Sequence, residues 1–292
     1  MLNFLTAPNG IFATVVYMFL SLFFLILGRW TYRLVHPDVN VNDELVEKDN
    51  FAFAIANVGY LSGVLIALGG ALTGQSSDNL LADVLDFSLY ACLSIVLLNL
   101  SILINDRFIL RGINLKHELT QNQNIGIGVL DASVSIATGL IIYGAVSGDS
   151  LHDAVNGSLS TIVFWLIGMA LFVLSAFVYN LILKFDLLEE LKRKNLAVAI
   201  AYSGVIISIA NLVRSGTQGD FISWESSGYS ILYNSVIALV ALPFVRVLAD
   251  KLLLPGQKLT DELVHQKVPN IGAGLVEAFA YIACSILLDW TL

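Results

Sequence analysis

Charged residues are scarce in this chain: Asp, Glu, Lys and Arg make up 13% of its 292 residues, about half their share in a soluble domain. That scarcity excludes a water-facing surface over most of the molecule. Only two cysteines occur, Cys92 and Cys284. Both lie inside apolar runs with no neighbouring ligand or partner, so they exclude a disulfide framework and read as packing residues. With five prolines and no low-complexity or Gly/Ser-rich linker, no stretch is set apart for a soluble domain. The four histidines, His36, His117, His152 and His265, show no ligand spacing. There is no Gly-rich phosphate loop, nucleophile elbow or zinc-protease signature. The sequence therefore points to no enzyme, no metal and no cofactor. Its basic segments are mixed with acids and the formal charge is −8, which gives a nucleic-acid role no support.

What the chain has instead is apolar length, with 57% hydrophobic residues. Uninterrupted runs long enough to cross about 30 Å of hydrocarbon fall near 11–34, 51–74, 81–105, 124–147, 158–183, 196–215, 227–254 and 271–290. The pattern predicts an all-α polytopic membrane protein with eight transmembrane helices, embedded in a lipid bilayer. No Lys or Arg precedes the first run and no small-x-small site follows it, so it reads as a retained helix rather than a cleaved signal.

The basic residues are distributed unevenly. Fourteen of the fifteen lie at the connections after the first, third, fifth and seventh runs, from Arg29, Arg33 and Lys48 to Arg246, Lys251, Lys258 and Lys267. The exception is Arg214, at the far end of the sixth run, which reads as a snorkelling anchor, with an acidic partner within the bundle as the alternative. The opposite connections carry Asp78, Asp83, Asp149, Asp153, Asp220 and Glu225. Positive-inside bias then predicts cytoplasmic odd-to-even loops and both termini outside. Anionic headgroups account for the basic loops.

Each basic connection repeats one pattern, Glu-Leu, a few polar residues, Asn, and then a helix opening with small residues. The copies run Glu44-Leu45 to Asn50, Glu118-Leu119 to Asn124, Glu190-Leu191 to Asn195 and Glu262-Leu263 to Asn270. The unit is a helical hairpin used four times, giving two pseudo-symmetric four-helix halves, 1–150 and 151–292. Asn50, Asn124, Asn195 and Asn270 read as helix N-caps, since the first backbone N–H groups of each helix need an acceptor. The small residues that follow, as in Ile125-Gly126-Ile127-Gly128 and Ile271-Gly272-Ala273-Gly274, let helices approach closely in lipid. The even helices are thus expected to be the central, closely packed set.

Seven residues beyond each Asn stand Asn57, Asp131, Tyr202 and Glu277. Seven residues of helix carry a group about 10 Å into the bilayer, where ionisable side chains usually face a bundle interior or a cavity. Asp131 and Glu277 are accordingly the candidate polar site, expected to share one cavity across a pseudo-two-fold axis, with Asn57 and Tyr202 either lining it or bridging neighbouring helices, the commoner role of such groups. A structural role for both acids, as protonated or hydrogen-bonded groups near a helix N-terminus, is the competing reading. Asp106-Arg107 and Asp250-Lys251 read as interfacial anchors.

The Glu-Leu and Asn signature, the Gly/Ala-rich helices and the tandem four-span halves resemble the bacterial inner-membrane family catalogued as domain of unknown function 350. The resemblance covers essentially the whole chain, as two domains dividing near residue 150. It implies a multi-pass protein of the bacterial inner membrane and carries no assigned activity or catalytic residue.

Two functions are compatible with these features. One is a channel or transporter for a cation or small polar solute, using Asp131 and Glu277. The other is a non-transporting scaffold that recruits envelope or stress-response proteins through its cytoplasmic loops. A homo-oligomer and a cytoplasmic protein partner fit either. The charge asymmetry makes one direct prediction: cysteine labelling in intact cells should find residues near 40, 115, 190 and 260 protected and residue 150 accessible. A cytoplasmic C-terminus would overturn it.

Overall fold

The computed structural model describes residues 10–37, 39–73, 79–147, 154–218, 224–248 and 258–291. Eight long helices occupy most of these residues: α1 Ile11–Val35, α2 Phe51–Leu72, α3 Leu80–Phe108, α4 Ile125–Val146, α5 Ala154–Ile182, α6 Leu196–Thr217, α7 Trp224–Leu248 and α8 Ile271–Thr291. No strand occurs among the described residues. Among the described residues, seven helices, α1 to α6 and α8, are long and apolar enough to cross a membrane. Asp250 and Lys251 lie outside the described residues.

The even helices form a row. α2 packs on α4, α4 on α6 and α6 on α8, while α2 and α8 stand at its two ends without packing against each other. Glycine makes the close contacts in this row, because apolar side chains gain nothing over lipid tails by burying one another and backbones must meet directly. A Cβ added at Gly59 would overlap Ala132, and one at Gly204 would overlap Ala278. Gly128 and Gly274 sit in the same way against the carbonyls of Ala52 and Ala197. The α2–α4 and α6–α8 pairs therefore meet through corresponding residues.

Burial follows position in the row. α4 and α6, in the middle, are the most enclosed helices. α8, at one end, turns Leu275, Phe279, Leu287 and Trp290 outward. The expectation of a central even-helix set thus holds for α4 and α6, while α2 and α8 each leave one side of the row uncovered. The odd helices flank the row: α3 rests on α2 and α4, α5 on α4 and α6, and α7 on α6 and α8. α1 is the most outward of all, exposing Ile11, Phe12, Phe19, Phe23, Ile26 and Trp30.

Polar side chains tie neighbouring helices together. Trp165 Nε1 donates to Ser101 Oγ at 2.8 Å, joining α5 to α3. Asn211 Nδ2 donates to the Ser285 carbonyl at 3.2 Å, joining α6 to α8. Tyr60 donates to the Gly28 carbonyl at 3.0 Å, joining α2 to α1. Such bonds add roughly 0.6–2 kcal/mol each in a membrane.

Gly59→Ala and Gly204→Ala should each lower stability by about 1–3 kcal/mol, the usual cost of overpacking a closely fitted contact. Gly228, whose added Cβ meets nothing within 4 Å, provides the control. Gly228→Ala should gain up to about 1 kcal/mol from helix propensity. Thermal unfolding in detergent checks both, and equal effects at all three positions would refute the packing argument.

Candidate functional site

Each even helix begins at an Asn whose side chain makes two or three bonds at once. The Oδ1 atoms of Asn50, Asn124, Asn195 and Asn270 accept from the backbone N–H groups of Phe53, Ile127, Val198 and Ala273, at 3.1, 3.3, 3.2 and 3.1 Å. All four are the N-caps expected from the sequence. The Nδ2 group of each then donates to the Glu of its own motif: Asn50 to Glu44 at 2.7 Å, Asn124 to Glu118 at 3.1 Å, Asn195 to Glu190 at 2.7 Å and Asn270 to Glu262 at 2.8 Å. The backbone N–H of the same Asn donates to the carbonyl of the same Glu in every copy, at 2.9 to 3.0 Å.

This geometry survives different loop lengths. Six residues separate Glu from Asn in the first two motifs, five in the third and eight in the fourth. The first, second and fourth Glu-Leu pairs sit in a wide π-helical turn, Asp43–Glu47, His117–Gln121 and Asp261–His265, and the third in a short α-helix, Leu187–Lys192. In the first three copies the residue before the Asn is bent into the left-handed region: Asp49 at φ 47°, Gln123 at φ 45° and Lys194 at φ 62°. Non-glycine residues adopt this region at a cost, so the Glu–Asn pairing holds each loop in a strained turn. Pro269 precedes the fourth Asn and its ring fixes φ near −65°, which is why that loop closes with two more residues.

The remaining amide proton of three of these Asn residues reaches the next copy. Asn50 donates to the Leu119 carbonyl at 2.8 Å, Asn124 to Leu191 at 3.0 Å and Asn195 to Leu263 at 2.9 Å. Those three Asn residues are buried, whereas Asn270 is exposed. The Glu-Leu pair therefore has two functions that the sequence pattern left unread: its carboxylate orients one Asn, and its Leu carbonyl receives another. The constant Glu-Leu step was the available signal.

Beyond the Asn residues, the structure places the four register positions differently from one another. Asp131 is half-buried on α4 and borders two cavities. The first, about 10 Å³, is lined by Asn105, Asp106, Asp131, Ser135 and Thr138 with apolar neighbours. The second, about 50 Å³, reaches Tyr32, His36, Lys116 and Thr120. Glu277 is buried on α8, with α6 between it and α4, and lines neither cavity. Asn57 and Tyr202 are buried and line neither; the Tyr202 ring lies 6.0 Å from that of Tyr179. The carboxylate beside Asp131 is thus Asp106, from the segment read as an interfacial anchor.

Asn105 completes the smaller cavity. The Thr138 hydroxyl gives its proton to the Val134 carbonyl at 2.9 Å and accepts from Asn105 Nδ2, also at 2.9 Å. That fixes the amide orientation and leaves Asn105 Oδ1, a buried acceptor, without a hydrogen-bond partner. A cavity of this size holds about one water-sized sphere. With the Asn105 amide nitrogen committed to Thr138, the oxygens of Asn105, Asp106, Asp131, Ser135 and Thr138 in its lining are the donor set of a hard cation or a water molecule.

At the end of the bundle that carries the Glu-Leu motifs, His36 follows the end of α1, its ring stacked 4.4 Å from Tyr32. Burial holds its pKa below the ordinary 6.5, against a smaller opposing effect of its hydrogen bond to the Tyr32 carbonyl. Asp43 is held below the ordinary carboxylate range by the Lys48 ammonium, 2.7 Å away. At the opposite end, Arg214 pairs with Asp289 and lies 5.7 Å over the Tyr143 ring. Of the two readings of Arg214, this is the acidic partner within the bundle: the base is held by an acid of α8.

The comparisons with known proteins agree with this architecture. The model of the Domain of Unknown Function (DUF350) family matches twice in tandem, over residues 6–146 and 153–292. A UPF0719 transmembrane protein of Aquifex aeolicus (strain VF5) is 21% identical over 270 residues, covering 92% of this chain and 96% of that protein. No solved structure matches.

The Leu-carbonyl bond should separate the inner Asn residues from the last one. Asn→Asp keeps the cap, faces a Glu in every copy and removes both amide donors. Asn124→Asp should therefore lose about 1–3 kcal/mol more than Asn270→Asp, the usual cost of leaving a buried partner unsatisfied. Equal losses in a detergent unfolding series would deny the inter-copy bond a stabilising role. With two tandem matches spanning nearly its whole length, this multi-pass transmembrane protein belongs to the DUF350 family.

Proposed function

We propose that the chain moves a small cation or small polar solute across a bacterial inner membrane, by way of the cavities at Asp131. The observation that carries this reading is that one intramembrane carboxylate borders both cavities. Asp131 and Ser135 are shared between the rim cavity, which reaches His36 and Lys116, and the deep one, which ends at Asn105 and Thr138. Ionisable groups at this depth ordinarily mark a polar pathway. Asp106 and Asp131 together favour a positive occupant, and Asn105 Oδ1 supplies a neutral oxygen to it.

The reading includes eight crossings, with α7 as the seventh span, in four helical hairpins that make up two related halves. The Asn-to-Leu bonds, which set all four Glu-Leu motifs along one face of the row, at the same end of the even helices, support that arrangement. The basic residues concentrate at the same end, which supports cytoplasmic motifs and extracytoplasmic termini. No catalytic role is assigned to any residue. Glu277, buried at the equivalent depth on α8, belongs to the second half and is not needed for the pathway at Asp131.

The test is cation flux in reconstituted vesicles. Asp131→Asn and Asp106→Asn should each reduce flux at least tenfold while expression and unfolding temperature persist, and Glu277→Gln should reduce it far less. Unchanged flux in both Asp variants would sink the proposal and favour the scaffold reading. A pH effect follows from His36. Its folded pKa lies below 6.5, so the folded state binds the proton less readily than the unfolded chain. The stability contribution is complete above the folded–unfolded window and falls as pH drops through 6.5 toward the folded value. The unfolding temperature should drop over that interval in the native protein and less in His36→Gln.

A further inference from the structure

The row of Asn-to-Leu bonds runs in one direction and stops with both ends unused. Every step has the same donor and acceptor: an Asn side chain of one motif and the Leu carbonyl of the next. At the far end, Asn270 bonds to Glu262 and makes no second donation among the described residues. At the near end, the Leu45 carbonyl receives no Asn among the described residues. Leu45 itself is half-buried, whereas Leu119, Leu191 and Leu263 are buried.

The helix contacts stop in the same places. Between the halves, Gly126 receives Ala199, whose Cβ lies 3.2 Å from where a Gly126 Cβ would stand. These residues are two beyond Asn124 and four beyond Asn195. The residue two beyond Asn270 is Gly272, and a Cβ there would meet only its own Asn270. The residue four beyond Asn50 is Ala54, which is half-exposed while Ala199 is fully buried. The chain's two ends thus carry the two components of the contact already made at its centre.

Symmetry gives this a consequence. A step that carried the second half back onto the first would close the pair, and α8 would then pack on α2. It does not. An interface between unlike surfaces that fails to close is repeated by the next copy, as a ring or an open row.

We propose that copies of this chain associate head to tail in the membrane, with Asn270 donating to the Leu45 carbonyl of the neighbouring copy and Gly272 receiving its Ala54. Deeper in the bilayer the pairing changes. Where Ser133 and Ser203 are buried between the halves, the corresponding outer positions are Phe279 and Val58, both exposed. Copies therefore meet closely at the cytoplasmic rim and through bulkier apolar side chains further in. The wider spacing there makes the junction between copies looser than the one within a chain.

Cysteine cross-linking in reconstituted bilayers tests this, in a background carrying Cys92→Ser and Cys284→Ser. Gly126→Cys with Ala199→Cys is the control: its Cβ positions, 3.2 Å apart, need to give by only a few tenths of an ångström to reach disulfide spacing, and it should close within one chain. Ala54→Cys and Gly272→Cys, made in separately tagged chains and mixed, should give a cross-linked pair bearing both tags. Either variant alone should give little. A chain with both substitutions should give a ladder of higher species, and adding Asn270→Leu should cut the mixed yield several-fold. If the control closes and the mixed pair does not, head-to-tail association is wrong. Predominant Ala54–Ala54 or Gly272–Gly272 products would equally overturn it, because they require a two-fold interface between like surfaces.

Discussion

The Asn side chain at the start of each even helix is the interaction on which the rest of this structure depends. A helix that begins at the membrane surface has N–H groups with no intrahelical partner, and bilayer hydrocarbon supplies none. One Asn meets that need with its oxygen. Its nitrogen is then free to fix the helix's relation to its own loop, through Glu, and, for Asn50, Asn124 and Asn195, to the next Glu-Leu motif, through Leu. The same bond that starts a helix thereby sets its height against the neighbour. With heights fixed, glycines meet backbone carbonyls rather than side chains, and Gly128 against Ala52 recurs as Gly274 against Ala197. The strained Asp49, Gln123 and Lys194 turns are consistent with this constraint, since loops of five and six residues must deliver an Asn to one geometry.

Much of this was legible in the sequence because membranes leave few alternatives. Apolar length located the seven candidate spans, and the recurring Asn located the starts of the even helices to within a residue, since capping is a local matter. The loop geometry was less accessible: nothing local says that Glu118 will orient Asn124 or that Leu191 will offer its carbonyl to it, because both bonds depend on how hairpins stack. The cavity shows the same limit. Asp131 was identifiable as a costly group at depth, but its companions Asn105 and Asp106 come from another helix, α3, where an Asp-Arg step looks like an ordinary anchor. Glu277 matched Asp131 in register and yet lies two helices away along an open row. Register fixes depth, and it does not fix distance across a bundle. The acid that partners Arg214 could not be named for a related reason, since Asp289 approaches it only once α6 and α8 pack.

The two halves have diverged in what they enclose. The first builds its polar pocket from α3 and α4. In the second, Tyr179 and Tyr281 lie side by side, their hydroxyls 3.2 Å apart, close to Tyr202. Aromatic rings fill space that hydrogen-bonding oxygens leave open. The halves therefore share a frame, set by Asn and glycine, and differ in contents, set by the residues between them.

A double-mutant cycle on Glu118 and Asn124, followed by unfolding in bicelles, measures the central interaction most directly. Glu118→Ala, Asn124→Ala and the double variant should give a coupling of about 1 kcal/mol or more, as residues sharing one hydrogen-bond network do. Additive losses, with no coupling between the two positions, would contradict the claim that this pair organises the row.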